Sequence, residues 1–527
     1  MGFIKSSHAT VAVILSWNVS TTIKDKENVM ASRRTILKAT LAAGAASVFS
    51  GVLGGLSAIA QTAPRVRRSL HGMALNDPDL SAYRDFVGIM LARNQNDPVS
   101  WLQYSLMHGT YNGNYRYCPH GDWYFLPWHR AFVLMYENAV IAITGKRDFA
   151  MPYWDWSIDR TMPQAFTDQS YLGKNNPLYV PTRTLNTGNW PLSDATVGPD
   201  VMRSIYRETD FQLFGTSRNP AQNNLDMRWV VAGGGSQGTL ERNPHNNIHN
   251  WIGGYMPSAG SPRDPIFMMH HSNFDRIWAY WNALGRSNIA GMNAGDRNLF
   301  LNMNFKDNYL SPQGTVYGVY SRDMQSTASL GYTYPGLPAP DNARADPERT
   351  ERLLSLFATG STIKSLDHVQ MLASINTQPA TIARPLTKQV RLPQSLQTMV
   401  IDRNAEAADA AEVFALIKEM EVGQDVASVR VFVNAEMLTA ATPDSDPHFV
   451  TEIGFLAHGG DQTGHEDHVK APPSALVDLT ATLRNLAKLG LLKDDRVSVH
   501  LLPVLRDGKA DSDSATVVPA VIEIAVL

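Results

Sequence analysis

Seven of the chain's 15 histidines fall between His108 and His271, and they gather into two groups. The first runs through His108-Gly109, Cys118-Pro119-His120-Gly121-Asp122-Trp123 and Pro127-Trp128-His129-Arg130. The second runs through Glu241-Arg242-Asn243-Pro244-His245-Asn246-Asn247-Ile248-His249-Asn250 and Met269-His270-His271. Any one of these residues alone reads most simply as a core histidine with a hydrogen-bond partner. Their periodicity argues for more. His129 shares a helical face with Phe132, Val133 and Tyr136, and His108 ends a helix on the face of Trp101, Tyr104 and Ser105. His245 and His249 stand four apart, which on a helix sets their Cβ atoms about 5–6 Å from each other. His270 and His271 point about 100° apart, so at most one of them readily joins the others, and both faces there are apolar. Glutamate is absent from inside the 245–249 pair, so the zinc-peptidase pattern does not apply. Three imidazoles in each group, without carboxylate or thiolate, suit copper or zinc with an open position for a small bridging ligand, and a copper pair that binds dioxygen fits the doubling.

The rest of the composition narrows the alternatives. Cys118 is the single cysteine, which excludes a disulfide framework, a thiolate zinc site and a CxxC redox pair. A formal charge of −3 lacks the electrostatic footprint of a nucleic-acid binder.

Ser32-Arg33-Arg34-Thr35-Ile36-Leu37-Lys38 precedes an uncharged Ala/Gly/Leu-rich run that ends in Ala58-Ile59-Ala60. This reads as a twin-arginine export signal with a small-residue cleavage site, behind an upstream extension before Met30. Export to the periplasm or medium, with no stable membrane association after cleavage, is the expectation for residues 1–60.

All 11 tryptophans lie before residue 282, so the aromatic core and the chemistry share the front half. Helices are expected over 79–91, over 100–107, from Pro127 through Val140, and from an Asp264-Pro265 cap through Trp281. Four packed helices suffice for one core, giving a mainly α catalytic core built as a four-helix bundle over 61–336. The stretches 157–200 and 215–240 read as surface loops. A linker over 337–390, with a helical stretch at 349–357, leads to a mixed, β-rich domain over 391–527. Its strands are expected at 429–434, 448–457, 496–504 and 516–526, with helices at 408–420 and 475–488. His458, His465 and His468 sit in a Gly/Asp-rich tract that reads as solvated.

The motifs HGT, CxHGDWYFLPWHR, PYWDW, NPHNxxHNWIGG and DPIFMMHHSNxDRIW together resemble the type 3 copper proteins, specifically the tyrosinase/polyphenol oxidase family, over 67–334. Tyr332-Thr333-Tyr334 and Arg67-Arg68 resemble marks near the end and start of that family's core. Phe432-Val433-Asn434 and Asp446-Pro447-His448-Phe449 are similar to the tail of its long members, and the chain most resembles exported long-form bacterial tyrosinases. The resemblance implies two copper ions with dioxygen as co-substrate, one copper on His108, His120 and His129 and the other on His245, His249 and His271, with His270 as a neighbour. It implies that Glu241 and Asn246 orient a water that takes the phenol proton, and that Cys118 forms a thioether with His120.

The activity so implied is tyrosinase: hydroxylation of small monophenols to o-diphenols and oxidation of o-diphenols to o-quinones. The segment Met256-Pro257-Ser258-Ala259-Gly260 carries no bulky aromatic, which favours monophenols. The alternatives are a catechol oxidase without monophenolase activity and a haemocyanin-like dioxygen carrier. The tail is expected either to shield the copper pocket or to serve as a homo-oligomerisation or stability domain.

Overall fold

The computed structural model describes residues 63–526 except 111–115, 227–233, much of 342–378, 392–411, 457–471, 493–495 and most of 507–514. The expected export signal and His458, His465 and His468 lie outside the described residues, as does most of the expected helix at 349–357. Pro64–Leu527 forms one compact unit.

Four of the expected helices form close to where their caps place them. Helix α1 (Pro78–Ala92) starts behind Asp77, whose carboxylate accepts from the Asp79 N–H. Helix α2 (Trp101–Leu106) starts behind Ser100, whose hydroxyl accepts from the Gln103 N–H. Helix α3 (Phe125–Thr144) begins two residues before Pro127 and ends at Gly145, whose φ of 76° lets its N–H turn back onto the Ile141 carbonyl. A shorter helix, α4 (Asn246–Ile252), carries the second histidine group, and α5 (Ile266–Ala283) follows Asp264, whose carboxylate accepts from the Ile266 N–H. The Phe86 ring meets Tyr136 edge-on between α1 and α3, and Phe132 meets Phe267 between α3 and α5. His249 and Phe267 pack edge-on between α4 and α5.

A buried ion network closes this core. Strands β1 (Arg65–Val66) and β3 (Tyr332–Thr333) pair in parallel, joining its two ends. Arg67, fully buried, reaches Glu137 of α3 at 2.8 Å and Asp275 of α5 at 3.0 Å while its guanidinium lies 3.7 Å from the Tyr332 ring centroid. Tyr332 and Tyr334 each donate to Asp275 Oδ2 at 2.6 Å, and Arg130 of α3 bonds to Asp275 Oδ1. Burial opposes ionisation of Asp275, yet Arg130 and Arg67 outweigh it and hold the carboxyl below its usual range.

The C-terminal region is β-rich. Its first sheet runs β2-β9-β6-β11-β4, with β2 (Ser236–Gln237), β9 (Ser474–Asp478), β6 (Val413–Val422), β11 (Val517–Val526) and β4 (Gln370–Met371). Its second runs β8-β7-β10-β5, with β8 (Phe449–Gly454), β7 (Val426–Val433), β10 (Arg496–Leu505) and β5 (Leu386–Arg391). Val413, Ile417, Val429, Val431, Val499 and Ile524 from both sheets share one apolar core with Leu483 and Leu486 of helix α6 (Thr480–Lys488). β2 belongs to the front half of the chain and pairs in parallel with β9, so the tail sheet is completed by the core.

Three expectations are corrected. The run 408–420 is not helical in its described part. It enters β6, because an apolar run flanked by polar residues satisfies either period and pairing with β9 and β11 decides it. Residues 475–488 divide into strand β9 and helix α6. The stretches 157–200 and 215–240 are not surface excursions throughout, since Phe166, Leu178, Arg183, Thr216 and Gln222 are buried and Arg183 pairs with Asp264 at 2.6 Å. No described helix is long and apolar enough to cross a membrane.

Asp275→Asn leaves Arg67 and Arg130 buried without their shared anion. It is expected to cost about 3–5 kcal/mol in urea unfolding at pH 7. A carboxylate with a depressed pKa stabilises above its unfolded value and loses that contribution as pH falls through its folded one. The gap between wild type and variant should therefore narrow below about pH 4.

Candidate metal centre

Each cluster assembles from a helix plus a less regular segment. In the first, α3 supplies His129 from its second turn, the end of α2 leads into His108, and the loop before α3 supplies His120. His108, Cys118, His120 and His129 each offer one ligand atom, and these atoms lie within 4.8 Å of one another. In the second, His245 and His249 come from α4 and its preceding turn, His270 and His271 from α5, and their ligand atoms satisfy the same limit. The clusters abut. The His129 and His271 rings are parallel within 12° with centroids 4.3 Å apart, and His120 and His245 lie 5.4 Å apart.

Backbone carbonyls orient the rings. His108 Nδ1 donates to Ala259 O at 2.6 Å, His129 Nδ1 to Phe125 O at 2.8 Å and His249 Nδ1 to Met256 O at 2.6 Å. His245 Nδ1 lies 2.8 Å from Asn246 Oδ1, and the Asn246 amide is oriented by its own donation to Gly454 O. A carbonyl oxygen accepts only from a protonated Nδ1, which leaves the Nε2 lone pair for a metal. Burial is the leading cause that holds these imidazoles below their usual pKa, His108 down to about 3 and His249 down to about 4. The rings are therefore neutral, as ligation requires.

Nε2 of His245 and His249, and both ring nitrogens of His270 and His271, are buried without a hydrogen-bond partner among the described residues. Each such group costs about 1–3 kcal/mol when left unsatisfied, so their convergence calls for a cation. The donor set of neutral imidazoles fits copper.

Glu241 is fully buried, with Oε1 accepting from the Gly121 N–H at 2.9 Å and Oε2 from the Thr216 hydroxyl. It thereby ties the loop of the first cluster to the turn that opens the second. Cys118 Sγ lies 3.0 Å from His120 Nδ1 and 3.4 Å from His129 Nε2.

All of the sequence-picked residues, His108, Cys118, His120, His129, Glu241, His245, Asn246, His249 and His271, lie in or beside this centre, and His270 joins them. The acceptors at Ala259 and Met256 and the Thr216 hydroxyl escaped the sequence reading. Backbone carbonyls leave no residue-type signal, and 215–240 offers no periodicity that would bury Thr216.

Two abutting histidine clusters with converging nitrogens define a dinuclear copper protein, for which dioxygen is the fitting co-substrate. Residues 98–284 match the common central domain of tyrosinase. This match and the relatives below support the type 3 copper tyrosinase/polyphenol oxidase family. Tyrosinase HcTyr1 of Hahella sp. (strain CCB-MM4) is 26% identical over 491 residues, spanning 83% of this chain and 95% of that one. Larrea tridentata (+)-larreatricin hydroxylase, chloroplastic, is 28% identical over 426 residues, spanning 74% of this chain and 66% of that one. The fold is also that of latent aurone synthase, a polyphenol oxidase, with a TM-score of 0.59 at 20% identity over 88% of this chain and 90% of that one.

Glu241→Ala removes the acceptor of the Gly121 N–H and the Thr216 hydroxyl. The metal-free variant should unfold about 1–3 kcal/mol more easily in urea, and an unchanged midpoint would show that those donors find other partners.

Proposed function

We propose that the protein is a tyrosinase that hydroxylates small monophenols to o-diphenols and oxidises o-diphenols to o-quinones. In this reading α1, α2, α3 and α5 are the four-helix bundle of a catalytic core over 61–336. A linker over 337–390 and a β-rich domain over 391–527 follow, and residues 1–60 direct twin-arginine export. His108, His120 and His129 hold one copper, and His245, His249 and His271 the other. Both rings pack against His245, His249 and Phe274, and His271 is preferred to His270 because its ring also stacks on His129 of the facing cluster. When bound, the copper pair supplies the redox capacity that phenol oxidation by dioxygen needs.

The chain's own part is to bind, orient and deprotonate. A phenol has a pKa of about 10 and must lose its proton to react at neutral pH. Glu241, a buried carboxylate bonded to the Gly121 N–H next to His120, is the observation that supports the monophenolase reading, in which it and Asn246 orient a water that accepts that proton. Phe125, Phe267 and Phe274 pack edge-on or stacked against the histidine rings and keep bulk water from the centre. The segment 256–260 brings no aromatic side chain, which supports entry of monophenols. In this reading the tail shields the pocket, in keeping with the latent form of the aurone synthase whose fold it shares.

Copper-loaded protein given tyrosine without catechol should form quinone after a lag. Glu241→Gln should keep two coppers and its catechol turnover while losing at least tenfold in tyrosine hydroxylation. Absence of any quinone from tyrosine, with catechol still oxidised, would replace tyrosinase by catechol oxidase.

The short Cys118–His120 approach supports the thioether. Thiol titration of the denatured mature protein should find essentially no free thiol, and one reactive thiol per chain would refute the crosslink while leaving the copper ligands in place.

A further inference from the structure

Helix α4 is pressed between the second histidine cluster and the tail, and its sequence shows how. In His245-Asn246-Asn247-Ile248-His249-Asn250, an asparagine directly follows each of the two histidines. Successive residues on a helix point about 100° apart, so the two histidines line one stripe and the two asparagines the adjacent one. The asparagine stripe is held by the tail. Asn246 Nδ2 donates to Gly454 O at the end of β8 at 2.9 Å. Asn250 Nδ2 donates to Ala427 O at 2.8 Å and Phe455 O at 3.0 Å, while its Oδ1 accepts from Arg506 at 2.7 Å. Arg242, just upstream, donates to Leu476 O of β9 at 2.8 Å.

The Asn246 bond matters most because the same side chain holds His245 Nδ1 through Oδ1. A tail carbonyl thus fixes the amide, the amide fixes the ring, and the ring presents Nε2 to the metal. Close approach depends on Gly454: a Cβ there would lie 2.3 Å from Asn247 Oδ1, 2.8 Å from Asn246 Cβ and 2.9 Å from Asn247 N. Two of those neighbours belong to the helix backbone or its first side-chain atom and cannot swing aside. A helix of seven residues is marginal without tertiary support, so the tail is a large part of what keeps α4 in place.

We propose that tail docking and copper binding at the second cluster are thermodynamically coupled through Asn246 and Asn250, with Gly454 as the positioning residue. The inference rests on the copper assignment above and goes beyond shielding, because it makes the tail part of the outer support of one metal and not the other. Loss of such support typically weakens a metal site about 10-fold to 100-fold. Linkage then requires copper to tighten tail docking by the same factor.

The test uses the full chain, metal-free and loaded with Cu(I). Hydrogen exchange at the β8 amides of 449–454 should slow about tenfold on loading. Competition against a chromophoric Cu(I) chelator should show that Gly454→Ala weakens one of the two coppers about tenfold while the other keeps its affinity. Arg506→Ala, which removes a contact to Asn250 without placing an atom against α4, should shift the same copper in the same direction by a smaller factor. The coupling is overturned if β8 exchange is indifferent to copper and both variants bind both ions as the wild type does. Failure of the wild-type chain to bind two coppers would instead overturn the functional reading, and the coupling with it.

Discussion

The two longest histidine-bearing helices are locked in register by the buried contact of Arg130 of α3 with Asp275 of α5, reinforced by Arg67, which bridges Glu137 and Asp275. Arg130 directly follows His129, and Asp275 lies four residues after His271, so a shift of either helix that moved the ion pair would carry a histidine with it. On this side of the helices Arg67, Arg130, Glu137 and Asp275 neutralise one another against Tyr332 and Tyr334, while the imidazole side carries neutral rings and the Glu241 carboxylate held by the Gly121 N–H and the Thr216 hydroxyl. This separation lets one pair of helices hold both an ionic lock and a metal centre. A buried charge beside uncharged imidazoles would perturb their protonation, and here the charges of the lock satisfy each other first.

On the metal side the governing constraint is protonation at Nδ1. His108, His129 and His249 each meet a backbone carbonyl and His245 meets the Asn246 amide oxygen, so tautomer and ring direction are set by groups that cannot themselves titrate. Burial keeps the rings neutral, and the aromatic side chains around them keep the dielectric low. Preorganisation of this kind costs folding free energy that the ion lock and the large aromatic core offset.

Much of this was legible in the chain. The Asp264-Pro265 pair opens helix α5 as expected, and the 3.6-residue recurrence of Phe132, Val133 and Tyr136 already turned His129 inward. The four main tail strands stand within a few residues of expectation because β-branched runs between polar turns allow little else. The choice between His270 and His271 could not be read, since α5 is buried on nearly every side and both faces are apolar. β6 was misread because Phe414, Ala415, Leu416 and Ile417 suit a buried helix as well as a central strand, and only its two partners decide. The burial of Arg183 and Thr216 depends on contacts with residues far along the chain, to which local pattern is blind.

The short connection between α4 and α5 serves both clusters through its main chain, with Met256 O on His249 and Ala259 O on His108. Only carbonyls are used, so the span orients both rings through its main chain, whose path is set by the left-handed Gly253 and Gly254 and by the buried Met256 and Ala259. A change of one residue in its length would displace both acceptors together and disturb both ions at once. The span therefore ties the orientation of one ring in each cluster to a single stretch of main chain.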